Sequence, residues 1–142
     1  MTTKQYLTQI SVYDKRINTK LSEIFKLRTL LQSITVCSKE DVVQTSGSKD
    51  KLGDSIAKIV DLENEINDLV DEMVVTRKFI IEQIENMENY NENNVLYLKY
   101  VLGMSFEEVA ENMNYSVRQV IRIHGYALSN FEKKYGKNYI MS

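Results

Sequence analysis

The sequence predicts an all-α protein: a long N-terminal antiparallel helical hairpin of coiled-coil character, followed by a small three-helix domain. Three observations lead there. The 142 residues contain no proline and only five glycines, so little in the chain forces the backbone to turn. Apolar residues recur at intervals of three and four over long stretches, the spacing of one face of an α-helix. These stretches are separated by two polar segments that lack the period, SKEDVVQTSGSKDK at 38–51 and ENMENYNENN at 85–94. The division expected is a helical hairpin and oligomerisation arm over 1–90, with its loop at 38–51, and a second domain over 91–142.

The first helix is expected from residue 3 to about 33, where Tyr6, Ile10, Tyr13, Ile17, Leu21, Ile24, Leu27 and Leu31 form one stripe. Gly47 and the Ser/Thr content of 38–51 mark a loop, in which only Val42 and Val43 offer local docking. The second helix is expected from about Leu52 to Met87. Leu52, Ile59, Ile66, Met73, Ile80 and Met87 repeat every seven residues, and Ile56, Glu63, Val70, Arg77 and Ile84 are read as the other row of a coiled-coil seam. Glu63 and Arg77 interrupt that row, either pairing with a neighbouring helix or turning outwards along their aliphatic stems.

The net charge of −2 hides a polarity. Residues 1–51 hold nine Lys/Arg against five Asp/Glu, residues 52–92 three against eleven, and residues 114–142 five against one. A basic first helix beside an acidic second one favours the hairpin. Two helices alone enclose little core, so self-association is expected, a homo-oligomer with a dimer favoured and a four-helix arrangement as its simplest form. No stretch approaches the roughly 20 apolar residues of a membrane-spanning helix, and the opening MTTKQYLTQISVYDKR has no apolar signal-peptide core. Cys37 is the sole cysteine and His124 the sole histidine, which excludes an internal disulfide and a recognisable zinc set. A cytoplasmic location without membrane contact is the expectation.

The polar break at 85–94 is followed by three short helices, Asn94 to about Leu102, Ser105 to about Met113 and Ser116 to about Tyr135. Gly103 ends the first. Ser105 caps the second, with Glu108 three residues on as the other half of a capping box. Phe106, Val109, Ala110 and Met113 make its apolar face, with Ala110 small where another helix must cross. Asn114 and Tyr115 form a short turn and Ser116 caps the last helix, the spacing of a helix-turn-helix. On a 100° wheel, Val120, Ile123, His124, Ala127, Leu128 and Phe131 fall on one side of that helix; Arg118, Ile121, Arg122, Gly125 and Ser129 fall on the other, with Gln119 flanking.

That outer side defines the candidate site: Ser116, Val117, Arg118, Gln119, Ile121, Arg122 and Gly125 toward double-stranded DNA, with Lys133 and Lys134 against phosphates. Arginine forks bond guanine O6 and N7 or clamp phosphate oxygens, glutamine matches adenine, and glycine permits close backbone approach. His124 faces inward and is expected to be a locally hydrogen-bonded core residue. The tyrosines are scattered over several helices and read as packing residues with a wet hydroxyl rather than a stacking platform. No glycine-rich phosphate loop or converging acid–base pair occurs, so neither enzymatic activity nor a cofactor is expected.

The run VLYLKYVLGMSFEEVAENMNYSVRQVIRIHGYAL resembles region 4 of bacterial sigma factors, over about residues 93–131. The whole chain, with its long-helical first half, resembles phage-encoded transcriptional regulators of the RinA and ArpU type. The resemblance implies binding near promoters and control of phage genes, often late or packaging genes. Val117 and Ile121 depart from the polar base-reading residues usual in sigma factors, so the resemblance implies no particular operator. Two other readings share the pattern: a small terminase-like subunit that packages DNA, and an interaction module whose partner is the host RNA polymerase.

Overall fold

A computed structural model describes residues 1–40 and 46–140, with backbone alone over 34–40 and 46–49. All regular structure among these residues is helical, and no helix is long and apolar enough to cross a membrane. The elements are α1 (Thr3–Leu7), α2 (Gln9–Glu40), α3 (Ser46–Glu85), α4 (Tyr90–Leu96), a π-helical turn (Tyr97–Val101), α5 (Phe106–Met113), α6 (Val117–Tyr135) and a closing 3₁₀ turn (Gly136–Asn138).

The long helices reach further than the polar composition of 38–51 suggests. α2 continues to Glu40 and α3 already begins at Ser46, so the expected loop is helical at both ends. Lys and Glu favour a helix, and one already nucleated by its packed part propagates through the less favourable Ser, Gly and Asp residues without a second nucleation cost. Residues 41–45, including Val42 and Val43, lie outside the described residues. At the other end the first helix is interrupted at Thr8, whose hydroxyl donates to the Lys4 carbonyl. Thr19, Ser22 and Thr29 bond back in the same way to Lys15, Asn18 and Phe25, an arrangement that bends helices.

By its internal contacts the chain forms two compact units: a middle unit, Asp14–Glu72, and a terminal unit of Met1–Tyr13 with Met73–Ser142. The hydrophobic period places a junction near residue 90, whereas packing draws the first thirteen residues and the end of α3 to the C-terminal helices.

In the middle unit, α2 and α3 pack through buried Ile24, Ile59 and Leu62, with Leu27, Leu31 and Ile66 half-buried around them. Ion pairs flank this core: Lys20–Glu65 at 2.6 Å, Arg28–Glu63 at 2.7 Å and Lys58–Glu23 at 3.1 Å. All are solvent-exposed, and each contributes at most about 1 kcal/mol. The second row of the seam is met in part. Ile84 is fully buried and Val70 half-buried as expected, but Ile56 and Glu63 point outwards, and Leu62, one residue before Glu63, is buried in their place, with Leu69 half-buried. Apolar residues occupy both rows, so a period of seven could not choose between them; the leucines take the inside and Glu63 pairs with Arg28 at the edge.

The terminal unit has two adjoining cores. One gathers Tyr6, Leu7 and Ile10, Ile80 and Ile84 from the end of α3 with Met87 just past it, Leu96 and Tyr100, and Ala127, Phe131 and Tyr139. Tyr6 stacks on Tyr139 with ring centroids 4.3 Å apart, and its hydroxyl donates to Gln83 Oε1 at 2.7 Å. Thr3 Oγ1 and the Tyr139 hydroxyl share a 2.8 Å hydrogen bond. Burial of the two phenols and their mutual repulsion raise the Tyr6 pKa, and burial raises that of Tyr139, so both stay neutral. The second core, Val95, Val109, Ala110 and Val120, belongs to α4, α5 and α6. No buried side-chain nitrogen or oxygen among the described residues lacks a partner.

α4 begins at Tyr90, earlier than the sequence pattern indicates, because Asn89 caps it by accepting from the Glu92 N–H at 3.1 Å. The polar stretch is thus a helix break confined to residues 86–89, and its asparagines belong partly to the next helix.

Candidate nucleic-acid interface

α4 ends in the π-helical turn, where the Leu102 N–H reaches the Tyr97 carbonyl at 3.1 Å. The extra residue widens the turn and lets Tyr100 enter the core while Lys99 lies over the Phe106 ring, 4.0 Å from its centre. Gly103 follows at φ +71, a conformation side-chain-bearing residues rarely adopt. Ser105 then caps α5 by accepting from the Glu108 N–H at 3.2 Å, one half of the expected capping box.

The turn from α5 to α6 is fixed at two residues. Asn114 takes the left-handed conformation at φ 58, ψ 39, and the Tyr115 N–H donates to the Ala110 carbonyl at 3.0 Å. Ser116 opens α6 with a full capping box: its hydroxyl accepts from the Gln119 N–H at 3.1 Å, and Gln119 Oε1 accepts from the Ser116 N–H at 2.9 Å. Replacement of Ser116 by alanine is expected to lower stability by about 1 kcal/mol, read as a shift in the urea midpoint. Gln119→Ala should produce a smaller shift of the same sign.

Along α6, Val120, His124, Ala127 and Phe131 are buried, with Ile123 and Leu128 half-buried. The side carrying Arg118, Ile121, Arg122, Gly125 and Ser129 is exposed, Ile121 by 49%. Neither arginine side chain makes a hydrogen bond or ion pair with any described residue. A Cβ placed on Gly125 would meet nothing within 4 Å, so the surface there is open.

The other expected site residues divide. Val117 is half-buried and packs on the α5–α6 core, which makes it a support for the helix start rather than part of its outer face. Gln119 is exposed, but its carbonyl oxygen is engaged in the cap, leaving its amide N–H groups outward. Lys133 and Lys134 are exposed two turns further on; Lys134 donates to the Asn86 carbonyl and so secures α6 to the end of α3. Sequence spacing could not disclose this, because Asn86 and Lys134 are far apart in the chain.

His124 lies behind the exposed face. It is 6% exposed, with its Nε2 joined to the Tyr100 hydroxyl at 2.7 Å and its ring edge-on to Phe106. Burial, then the positive charges of Lys99 and Lys4, lower its pKa to about 4, and burial pushes the Tyr100 hydroxyl up to about 12. An unfolded histidine titrates near 6.5. Its neutral form therefore favours the fold fully above that value, and the contribution is lost as pH falls from about 6.5 toward 4. Allowing for solvent at the ring edge, about 2 kcal/mol of stability is expected to disappear across that window. Urea unfolding at pH 7 and pH 4.5 checks it: His124→Gln should lose this part of the pH dependence, and an unchanged slope would refute it.

Together these features define a helical protein that presents a basic, unpaired helix face beside a tight two-residue turn. It belongs to the family described as a protein of unknown function, DUF1492, whose pattern it matches over residues 30–132. No curated protein and no solved structure matches the chain significantly.

Proposed function

We propose that the protein is a sequence-specific DNA-binding transcriptional regulator of phage or prophage origin, in which α5 and α6 act as a helix-turn-helix and α6 enters the major groove. The observation that carries this reading is the unpaired, exposed pair Arg118 and Arg122 on one open side of a helix whose other side is buried. Neither meets a carboxylate among the described residues, which leaves both guanidinium groups free for a phosphate or a base edge. The first turns of the second helix are where such motifs meet base edges. The resemblance to sigma region 4 and to RinA- and ArpU-type regulators points to promoter-proximal sites and to late or packaging genes as targets.

On this reading α2 and α3 form an antiparallel hairpin: two long helices, separated by five residues in the chain, pack on each other through Ile24, Ile59 and Leu62. The DNA-binding domain comprises the helices from α4 onward, and a dimer joined through the hairpin presents two recognition helices to paired half-sites.

Selection of bound fragments from the source genome, followed by titration at several salt concentrations, tests the function. Enrichment of a discrete site, with affinity that falls steeply as salt rises, is the expected result. Equal retention of all fragments, or of none, would defeat the reading.

A further inference from the structure

We infer that the middle unit carries its own self-association surface, a patch of Leu21, Phe25, Ile56 and Val60 that meets the same patch of a second copy. This deepens the self-association part of the reading above and does not depend on DNA binding.

The four residues share one side of the α2–α3 pair. Arg28 of α2 bridges to Glu63 of α3 at 2.7 Å, which fixes one edge of the pair. Leu21 lies seven residues before Arg28 and Ile56 seven before Glu63, so both return to that edge. Phe25 and Val60 sit four residues beyond Leu21 and Ile56, one turn along and slightly outwards. The opposite edge holds the Lys58–Glu23 pair, beside a groove lined by Lys15, Arg16, Thr19, Lys20, Glu65 and Asp68. The side with the groove is mostly polar and ionic; the other carries the four apolar residues around the Arg28–Glu63 pair.

The apolar side is uncovered. Phe25 is 74% exposed, Ile56 50%, and Leu21 and Val60 49% each. Among the described residues, the core between the helices buries Ile24, Ile59 and Leu62. Covering a second face removes a phenylalanine and three aliphatic side chains from water, a favourable transfer.

Charge selects the occupant. Residues 14–33 of α2 carry five Lys/Arg and two Asp/Glu, whereas residues 52–72 of α3 carry one and seven. A patch built from one basic and one acidic helix is self-complementary under a two-fold rotation that lays α2 of each copy on α3 of the other, the requirement for a closed dimer. The exposed charges on the patch itself, Arg28 and Glu63, have opposite sign and suit the same rotation. A nucleic acid or an anionic membrane would meet the acidic helix and be repelled.

Sedimentation equilibrium on the full chain at micromolar concentration, under reducing conditions, tests the inference. The wild type should be a dimer. Phe25→Glu, and separately the milder Phe25→Ser and Val60→Glu, should each raise the dimer dissociation constant at least tenfold while leaving the helical circular dichroism signal unchanged. Thr19→Glu, on the polar side, should leave it within twofold. A monomeric wild type, whatever other protein it captures, overturns the inference, as does a dimer whose constant is unmoved by Phe25→Glu combined with Val60→Glu. A monomer that still selects a discrete DNA site would sink only this surface, and a dimer that selects none would sink only the regulator reading.

Discussion

Replacing Arg118 and Arg122 together with alanine is expected to weaken binding to the selected DNA site by roughly a hundredfold or more, since a bidentate base contact is worth about 1–3 kcal/mol. The fold should not suffer. Both side chains are exposed and make no contact with a described charged partner, so the unfolding free energy from urea titration is expected to stay within about 0.5 kcal/mol of wild type. The single substitutions should differ in kind from Lys133→Ala. An arginine reading a base edge loses discrimination between sites, whereas a lysine on phosphate loses affinity evenly across sequences and flattens the salt dependence. Fluorescence anisotropy with the selected site and with scrambled duplexes separates these outcomes. Wild-type affinity and selectivity in the double variant would remove α6 from the proposed DNA interface.

The largest stability effect is expected at Phe131. Its side chain is fully buried and lies where α6, the chain start and the chain end converge, with ring centroids 6.1 Å from Tyr6, 5.0 Å from Tyr135 and 6.4 Å from Tyr139. Phe131→Ala removes that hub and should cost about 3–5 kcal/mol, through lost transfer free energy and the cavity left behind. Domains of this size are commonly stable by only about 5–15 kcal/mol. The variant should therefore unfold at far lower urea, measured by circular dichroism. A loss below about 1 kcal/mol would mean that the surrounding tyrosines collapse into the space.

The helical class was readable from the sequence because its signals are local. The inward row of α6, Val120, His124, Ala127 and Phe131, follows from a period of 3.6, and the caps at Ser105 and Ser116 follow from side-chain chemistry three residues deep. His124 likewise faces inward and bonds locally, as its wheel position implies. What escaped the sequence was set by distance or by competition. The docking of Tyr6 on Phe131 and Tyr139 joins residues with no local pattern between them. Gln119 reads equally well as an adenine contact and as a cap, and the cap is formed. Ile56 and Leu62 compete for one seam, and alternation cannot rank them. Helix ends at Glu40 and Ser46 depend on propagation from packed segments, which composition does not measure.

The hydrogen bond between Thr3 and Tyr139, with Tyr6 stacked on the same ring, closes the terminal unit between residues 136 positions apart. Tyr6, Leu7 and Ile10 gain Phe131 and Tyr139 as partners only after every residue between them has been made. Contacts of such separation are slow to form, so this apolar cluster is the part of the fold that stays longest open to chaperones.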